Sequence, residues 1–323
     1  MFIRKWCESM VIEEPAFNGS VFLCKIKMVM KMIISASRRT DIPAYYTRWF
    51  MDKVRKGKVV VYNPFNGLKR EISLKSEDVD AVVFWSKNFG PLIPYLDELK
   101  DKYRLYFLFT ITGLSGILED HVIAADEAIR QFIEISRMFS PGHIQWRFDP
   151  IVITSATGPE FYLKNFTYLA RRLQGYTRRC YISFATLYGK VKKNFNLLEK
   201  QKGISLIPWD DEEKKEFANR LGSIAREYGI TVYSCCNDYL VGDYVRKGSC
   251  VDVNAINELY SCDIKAPLNP TRPGCGCYKS VDIGVYNTCP HGCRYCYANS
   301  DIIKAKENYR SHDPFSDFLI ARE

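Results

Sequence analysis

SVDIGVYNTCPHGCRYC, residues 280–296, is the stretch around which the rest of the chain arranges itself. The apolar run over 280–287 predicts a strand, and Cys289, Cys293 and Cys296 follow it in the order C-x3-C-x2-C. Such spacing lets one short loop present three thiolates to three corners of an iron–sulfur cube, leaving one iron without a protein ligand. A metal or cluster site is therefore expected where this strand ends.

Working outward, apolar β-rich runs at 32–37, 59–63, 81–86, 104–112, 143–149, 181–187, 231–236 and 281–287 alternate with segments of helical periodicity. Their continuous apolar character suits strands buried on both faces. Phe161, Phe166, Leu169, Ala170 and Leu173 form one helical stripe, and Phe217, Leu221, Ile224, Ala225 and Tyr228 another. The alternation predicts an α/β fold with a parallel sheet and right-handed crossovers, and eight units allow a (β/α)8-like barrel. A partial, open barrel is the alternative. Residues 1–31 match no periodic element, and Met28, Met30 and Met32 offer later starts, so a mis-assigned start is expected there. Residues 32–323 are read as one barrel-like domain whose segment 275–310 carries the cluster.

At 323 residues, 47% hydrophobic and 26% charged, the chain can bury a large core. No run reaches the roughly twenty apolar residues of a membrane span. Glu8, Glu13 and Glu14 interrupt any signal-like N-terminal segment, which places the protein in the cytoplasm with no membrane partner. Twelve cysteines in a chain of this size suit a reducing compartment better than a disulfide framework. A net charge of +9 allows attraction to nucleic acid, but the basic residues are scattered as solvated helix faces usually are.

Active groups of a barrel belong at the C-terminal ends of its strands, and polar residues gather there. Arg38, Arg147 and Asp149 are the catalytic candidates, because an arginine fork suits a carboxylate on a cofactor or an acidic substrate. Arg147 and Asp149 share one side of a strand, so a mutual ion pair is the competing reading. Asn63 and Lys87 end two further strands and are read as cofactor-binding. Asp41, just before Ile42-Pro43, suits a helix N-cap.

A second thiol group precedes the triplet: Cys235-Cys236, Cys250, Cys275 and Cys277. Four thiolates satisfy tetrahedral zinc or an auxiliary four-iron cluster equally. Successive strand side chains point to opposite faces, so one of Cys235 and Cys236 is a bystander. The expected set is Cys236, Cys250, Cys275 and Cys277, with ordinary buried thiols as the competing reading. Cys7, Cys24 and Cys180 are read as plain packing or surface residues. With only four histidines a histidine-rich zinc site is poorly supported, and His291 is read as a loop contact. His312 suits either a place near the site or a turn cap.

The triplet, with Tyr295 before its last cysteine, resembles the signature of radical S-adenosylmethionine enzymes. The resemblance implies a 4Fe-4S cluster whose open iron chelates S-adenosylmethionine and whose electron cleaves it to a 5'-deoxyadenosyl radical. It also implies an electron donor of the flavodoxin or ferredoxin type. By the same analogy the Tyr295 backbone lies near the adenine. The Gly-Gly-Glu that many such enzymes use for the cofactor's amino group is absent, and its place falls on 35–41, where Ser37 and neighbouring backbone substitute. Those enzymes usually carry the loop near the start of the barrel, so its position here implies a circularly permuted arrangement, with the last strand beside the first.

ISASRRTDIPAYY at 34–46, VVFWSKN at 82–88, WRFDPI at 146–151 and CGCYKSVDIGVYNTCPHGCRYCYAN at 275–299 together resemble the uncharacterised prokaryotic family called domain of unknown function 1848. The similarity runs from about residue 32 to the end. That family is described only as bearing a C-terminal cysteine cluster like that of radical S-adenosylmethionine proteins, which implies a chemistry and no substrate, small molecule or nucleic acid. A non-catalytic iron–sulfur or zinc protein that binds nucleic acid is the rival reading.

Overall fold

The computed structural model describes residues 31–320. The expected N-terminal extension, apart from Lys31, lies outside the described residues, as do the candidate starts Met28 and Met30. Ten strands occur among the described residues: β1 (Met32–Ala36), β2 (Lys58–Tyr62), β3 (Lys69–Ser73), β4 (Val79–Ser86), β5 (Leu105–Thr110), β6 (Ile144–Ile151), β7 (Arg179–Phe184), β8 (Thr231–Ser234), β9 (Val245–Lys247) and β10 (Val281–Asp282). Eight of them form one sheet in the order β10-β1-β4-β5-β6-β7-β8-β9, and every pairing in it is parallel. The last strand does lie beside the first, with Ile34 opposite Val281 and Ser35 opposite Asp282. The edges β9 and β10 do not pair with each other, so the large parallel sheet is present and a closed barrel is not.

The expected strand 59–63 is not part of this sheet. Its residues lie in β2, which pairs antiparallel with β3 as a separate two-stranded hairpin. The turn chemistry explains the difference: Asn63 accepts from the Phe65 amide at 2.9 Å, and Gly67 adopts φ +70°. The chain therefore doubles back at once and never enters a crossover helix. The eighth place in the sheet falls to β9, whose Val-Arg-Lys is too short and polar for a periodicity signal.

Strand side chains alternate between two apolar layers. Val82 and Phe84 of β4, Phe107 and Phe109 of β5, and Trp146 and Phe148 of β6 face the layer shared with the helices. Ala81, Val83 and Trp85 of β4, with Tyr106 and Leu108 of β5, face the other way and pack on Val251, Val253 and Ile256. Burial on both faces accounts for the unbroken apolar runs, each fully buried large side chain contributing roughly 1.5–3 kcal/mol. The helix Pro159–Leu173 starts with proline in its first turn and buries Phe166, Leu169, Ala170 and Leu173 as the stripe predicts. The helix Asp211–Glu227 begins with an Asp210–Glu213 capping box and buries Phe217, Leu221 and Ala225.

One local expectation is corrected. Only Val281–Asp282 of the run 281–287 is a strand, because the Asp282 side chain turns back on its own chain at the Gly284 amide, 2.9 Å away. The cysteine loop does not open directly onto a helix: the next one, Ile302–Arg310, waits for Asp301, whose carboxylate accepts from the Ile303 amide at 2.7 Å. No helix among the described residues is long and apolar enough to cross a membrane.

Candidate active-site cavity

Parallel strands deliver their C-terminal ends to one rim, and a cavity of about 430 Å³ lies there. That is within the roughly 300–1,000 Å³ of small-molecule sites. Strand ends and alternation bring polar residues to it: Ser86 is the last residue of β4, Thr110 ends β5, and Arg147, Asp149 and Ser183 share one side of β6 and β7. Ser37, Arg38, Lys87, Tyr295 and all three cysteines of the loop line the same cavity. Of the residues expected from sequence to bind cofactor, Asn63 alone is not among them; it is exposed in the hairpin turn.

The cysteine loop is held from three directions. Its backbone pairs with 119–121, through an antiparallel bridge of Glu119 with Cys293 and a His121 amide bond to the His291 carbonyl at 2.9 Å. Tyr46 donates to the Thr288 carbonyl at 2.6 Å, and Asn299 donates to the Cys289 carbonyl at 2.6 Å. His291 lies 2.8 Å from Asp41 through Nε2 and 2.9 Å from the Tyr45 hydroxyl through Nδ1. Both ring nitrogens are thus engaged, as a loop contact requires. Asp41 also caps the helix Ile42–Tyr45 through the Ala44 amide and accepts from Ser86 and the Lys87 amide.

Behind Cys293 lies a buried charge network that the sequence reading did not include. Glu119 accepts from Lys87 Nζ at 2.9 Å and from Thr112 at 2.7 Å, and the Tyr295 hydroxyl donates to the same oxygen. Burial pushes the Glu119 carboxyl up, but the Lys87 ammonium and these hydrogen bonds outweigh it and hold it below the usual range. Glu119 lies in a loop after β5, where no periodicity marks it. The Tyr295 ring is thereby committed to the Glu119–Lys87 pair.

At the sheet edge, Asp282 gathers Ser35 at 3.0 Å, Ser37 at 2.6 Å and the Arg38 amide at 2.8 Å. The Ser37 hydroxyl also accepts from the Arg39 amide at 2.9 Å. Arg38 reaches Ser280 at 3.0 Å and lies over Trp85. Arg147 and Asp149 do form a mutual ion pair, and Ser183 donates to the same aspartate.

Three buried donors of residues on the cavity wall, Thr40 Oγ1, Trp85 Nε1 and Arg147 Nε, have no hydrogen-bond partner among the described residues. Buried polar groups are rarely left so, and acceptors on a bound molecule would satisfy them. Burial pushes the Cys289, Cys293 and Cys296 thiols up, so a metal must displace their protons. Among the described residues no three His, Cys, Asp or Glu side chains already stand at the spacing of one bound ion. Cys289, Cys293 and Cys296 line the same cavity as these three donors.

The second thiol group lines the same cavity. Cys235, Cys250, Cys275 and Cys277 are buried, and Cys236 is partly so. Cys235, outside the set expected from sequence, lies 3.2 Å from Cys250 and 3.7 Å from Cys236. The strand has ended at Ser234 and Cys236 takes φ 65, so strict strand alternation does not govern this pair.

A large parallel sheet packed against helices, with a cysteine-lined cavity at its strand ends, defines the class of this protein as an α/β protein. Residues 33–298 match the family described as Domain of unknown function (DUF1848), and the chain belongs to that family. No curated protein matches the chain.

Proposed function

We propose that the protein is a radical S-adenosylmethionine enzyme, with Cys289, Cys293 and Cys296 holding a 4Fe-4S cluster. The observation that carries this reading is that three thiols of one loop open onto the cavity at the C-terminal ends of the parallel strands, beside three unpartnered buried donors. When bound, the cluster and S-adenosylmethionine supply one-electron cleavage of the sulfonium carbon–sulfur bond. The chain's own residues bind, orient and exclude water. Arg147 offers its free Nε–H to a carboxylate, and its pairing with Asp149 fixes the direction of that donor. Lys87 and Glu119 anchor Tyr295 in the loop, and Asp41 anchors His291, which lies between Cys289 and Cys293.

A permuted barrel-like arrangement is part of the same reading, supported by the β10–β1 pairing. So are a cytoplasmic location, to which the free described cysteines are suited, and an electron donor of the flavodoxin or ferredoxin type.

The test is anaerobic reconstitution with iron and sulfide, reduction with dithionite, and assay of 5'-deoxyadenosine from S-adenosylmethionine. Product from the wild type that Cys293→Ala abolishes is the expected result. Intact S-adenosylmethionine over an assembled, reducible cluster sinks the reading.

A further inference from the structure

Cys235, Cys236, Cys250, Cys275 and Cys277 come from three separate segments: the end of β8, the turn after β9, and the approach to β10. Their sulfurs meet although nothing in sequence proximity requires it. Cys235 is 3.2 Å from Cys250, and Cys277 is in side-chain contact with Cys235, Cys250 and Cys275. All are free thiols, and Cys235, Cys250, Cys275 and Cys277 are each no more than 7% exposed. Gly276 permits the approach of the two loops, because a Cβ there would lie 2.9 Å from Ser249 Oγ.

Charge points the same way. Arg147 and Arg272 both line the cavity beside these sulfurs, Arg147 facing Cys250 and Cys235, and Arg272 bonded to Cys236. Arg147 is already paired with Asp149, but Arg272 forms no ion pair with a carboxylate among the described residues, and a four-thiolate metal centre carries the net negative charge that would complement it. A disulfide between Cys235 and Cys250 would leave Arg272 without that partner.

We infer that Cys235, Cys250, Cys275 and Cys277 hold a second thiolate-ligated metal centre that faces the same cavity as the cysteine loop. Cys236 stands outside it, since its sulfur is taken by Arg272. Four sulfurs bound at about 2.3 Å around a tetrahedral ion stand about 3.8 Å apart, so the 3.2 Å contact must open slightly on loading. A single zinc ion and an iron–sulfur cluster share this chemistry.

The inference does not rest on the radical reading, and its test removes the loop site. Full-length protein carrying Cys289→Ser, Cys293→Ser and Cys296→Ser is isolated without oxygen, and its zinc, iron and acid-labile sulfide are counted per chain. Retained metal that is lost when Cys250→Ser and Cys277→Ser are added is the expected result; zinc without sulfide identifies an ion, iron with sulfide a cluster. X-ray absorption at the edge of the retained metal, on the loop variant alone, should show a shell dominated by sulfur, which needs no further substitution. A folded, metal-free loop variant overturns the inference. Retention unaffected by the two added substitutions, or a Cys235–Cys250 disulfide found after alkylation without oxygen, does the same. A wild type that forms no 5'-deoxyadenosine leaves it untouched.

Discussion

His291 Nε2 lies 2.8 Å from Asp41 Oδ2, a hydrogen bond that spans 250 residues of sequence and fastens the cysteine loop to the start of the first helix. Asp41→Ala removes this tether and the helix cap together. Cap loss costs about 0.5–2 kcal/mol, and each buried donor left unmatched about 1–3 kcal/mol. We expect a destabilisation of roughly 3 kcal/mol, seen as a lower urea midpoint at unchanged slope. A change below about 1 kcal/mol would remove Asp41 from this role.

Gly284 has no room for a methyl group: a Cβ there would lie 2.0 Å from Ser37 Oγ and 2.6 Å from Ser37 Cβ. Gly284→Ala should cost about 1–3 kcal/mol or more by overpacking. Because part of the clash is with the hydroxyl, Gly284→Ala and Ser37→Ala should be less than additive in a double-mutant cycle of urea titrations. Simple additivity would show that the β10–β1 edge relaxes around the new methyl.

Glu119 is buried and Lys87 largely so, with 12% of its side chain exposed, and the two lie 2.9 Å apart. Lys87→Met alone strands a carboxylate and should cost about 3–5 kcal/mol. Adding Glu119→Gln should recover part of that loss. The readout is the coupling energy from chemical denaturation of the two single variants and the double. No recovery would mean that Thr112 and Tyr295 satisfy Glu119 without the lysine.

His143 packs against Tyr260 with ring centroids 5.1 Å apart, and its Nδ1 lies 2.7 Å from Ser140 Oγ. Burial lowers its pKa from the ordinary 6.5. The unfolded chain therefore binds the proton first as pH falls, so the contribution of His143 is whole above about pH 6.5 and declines below it. Stability measured by urea titration should drop between pH 7 and pH 5, and His143→Gln should flatten part of that slope. An unchanged slope in the variant would assign the acid sensitivity elsewhere.

Much of the sheet was legible because its strands are buried on both faces: 81–86 and 104–112 read as unbroken apolar runs for the same reason that Phe84 and Tyr106 are fully buried. The hairpin misled because Val59, Val60 and Val61 carry the same signature, and only the immediate antiparallel return separates it from a sheet strand. The Asp41 cap and the Arg147–Asp149 pair were legible because both are local, set by spacings of a few residues. Glu119, Asp282 and Cys235 were not, since their partners arrive from distant segments and no periodicity encodes such meetings.

The sequence by itself determined the family, the apolar strands and the triplet of Cys289, Cys293 and Cys296, because composition, period and spacing are properties of neighbours along the chain. Only the tertiary structure decided that the sheet stays open between β9 and β10, that Lys87 finds Glu119, and that two cysteine groups face one cavity. These outcomes depend on which surfaces can be buried against each other and which polar groups then find partners. That balance is struck among segments tens to hundreds of residues apart.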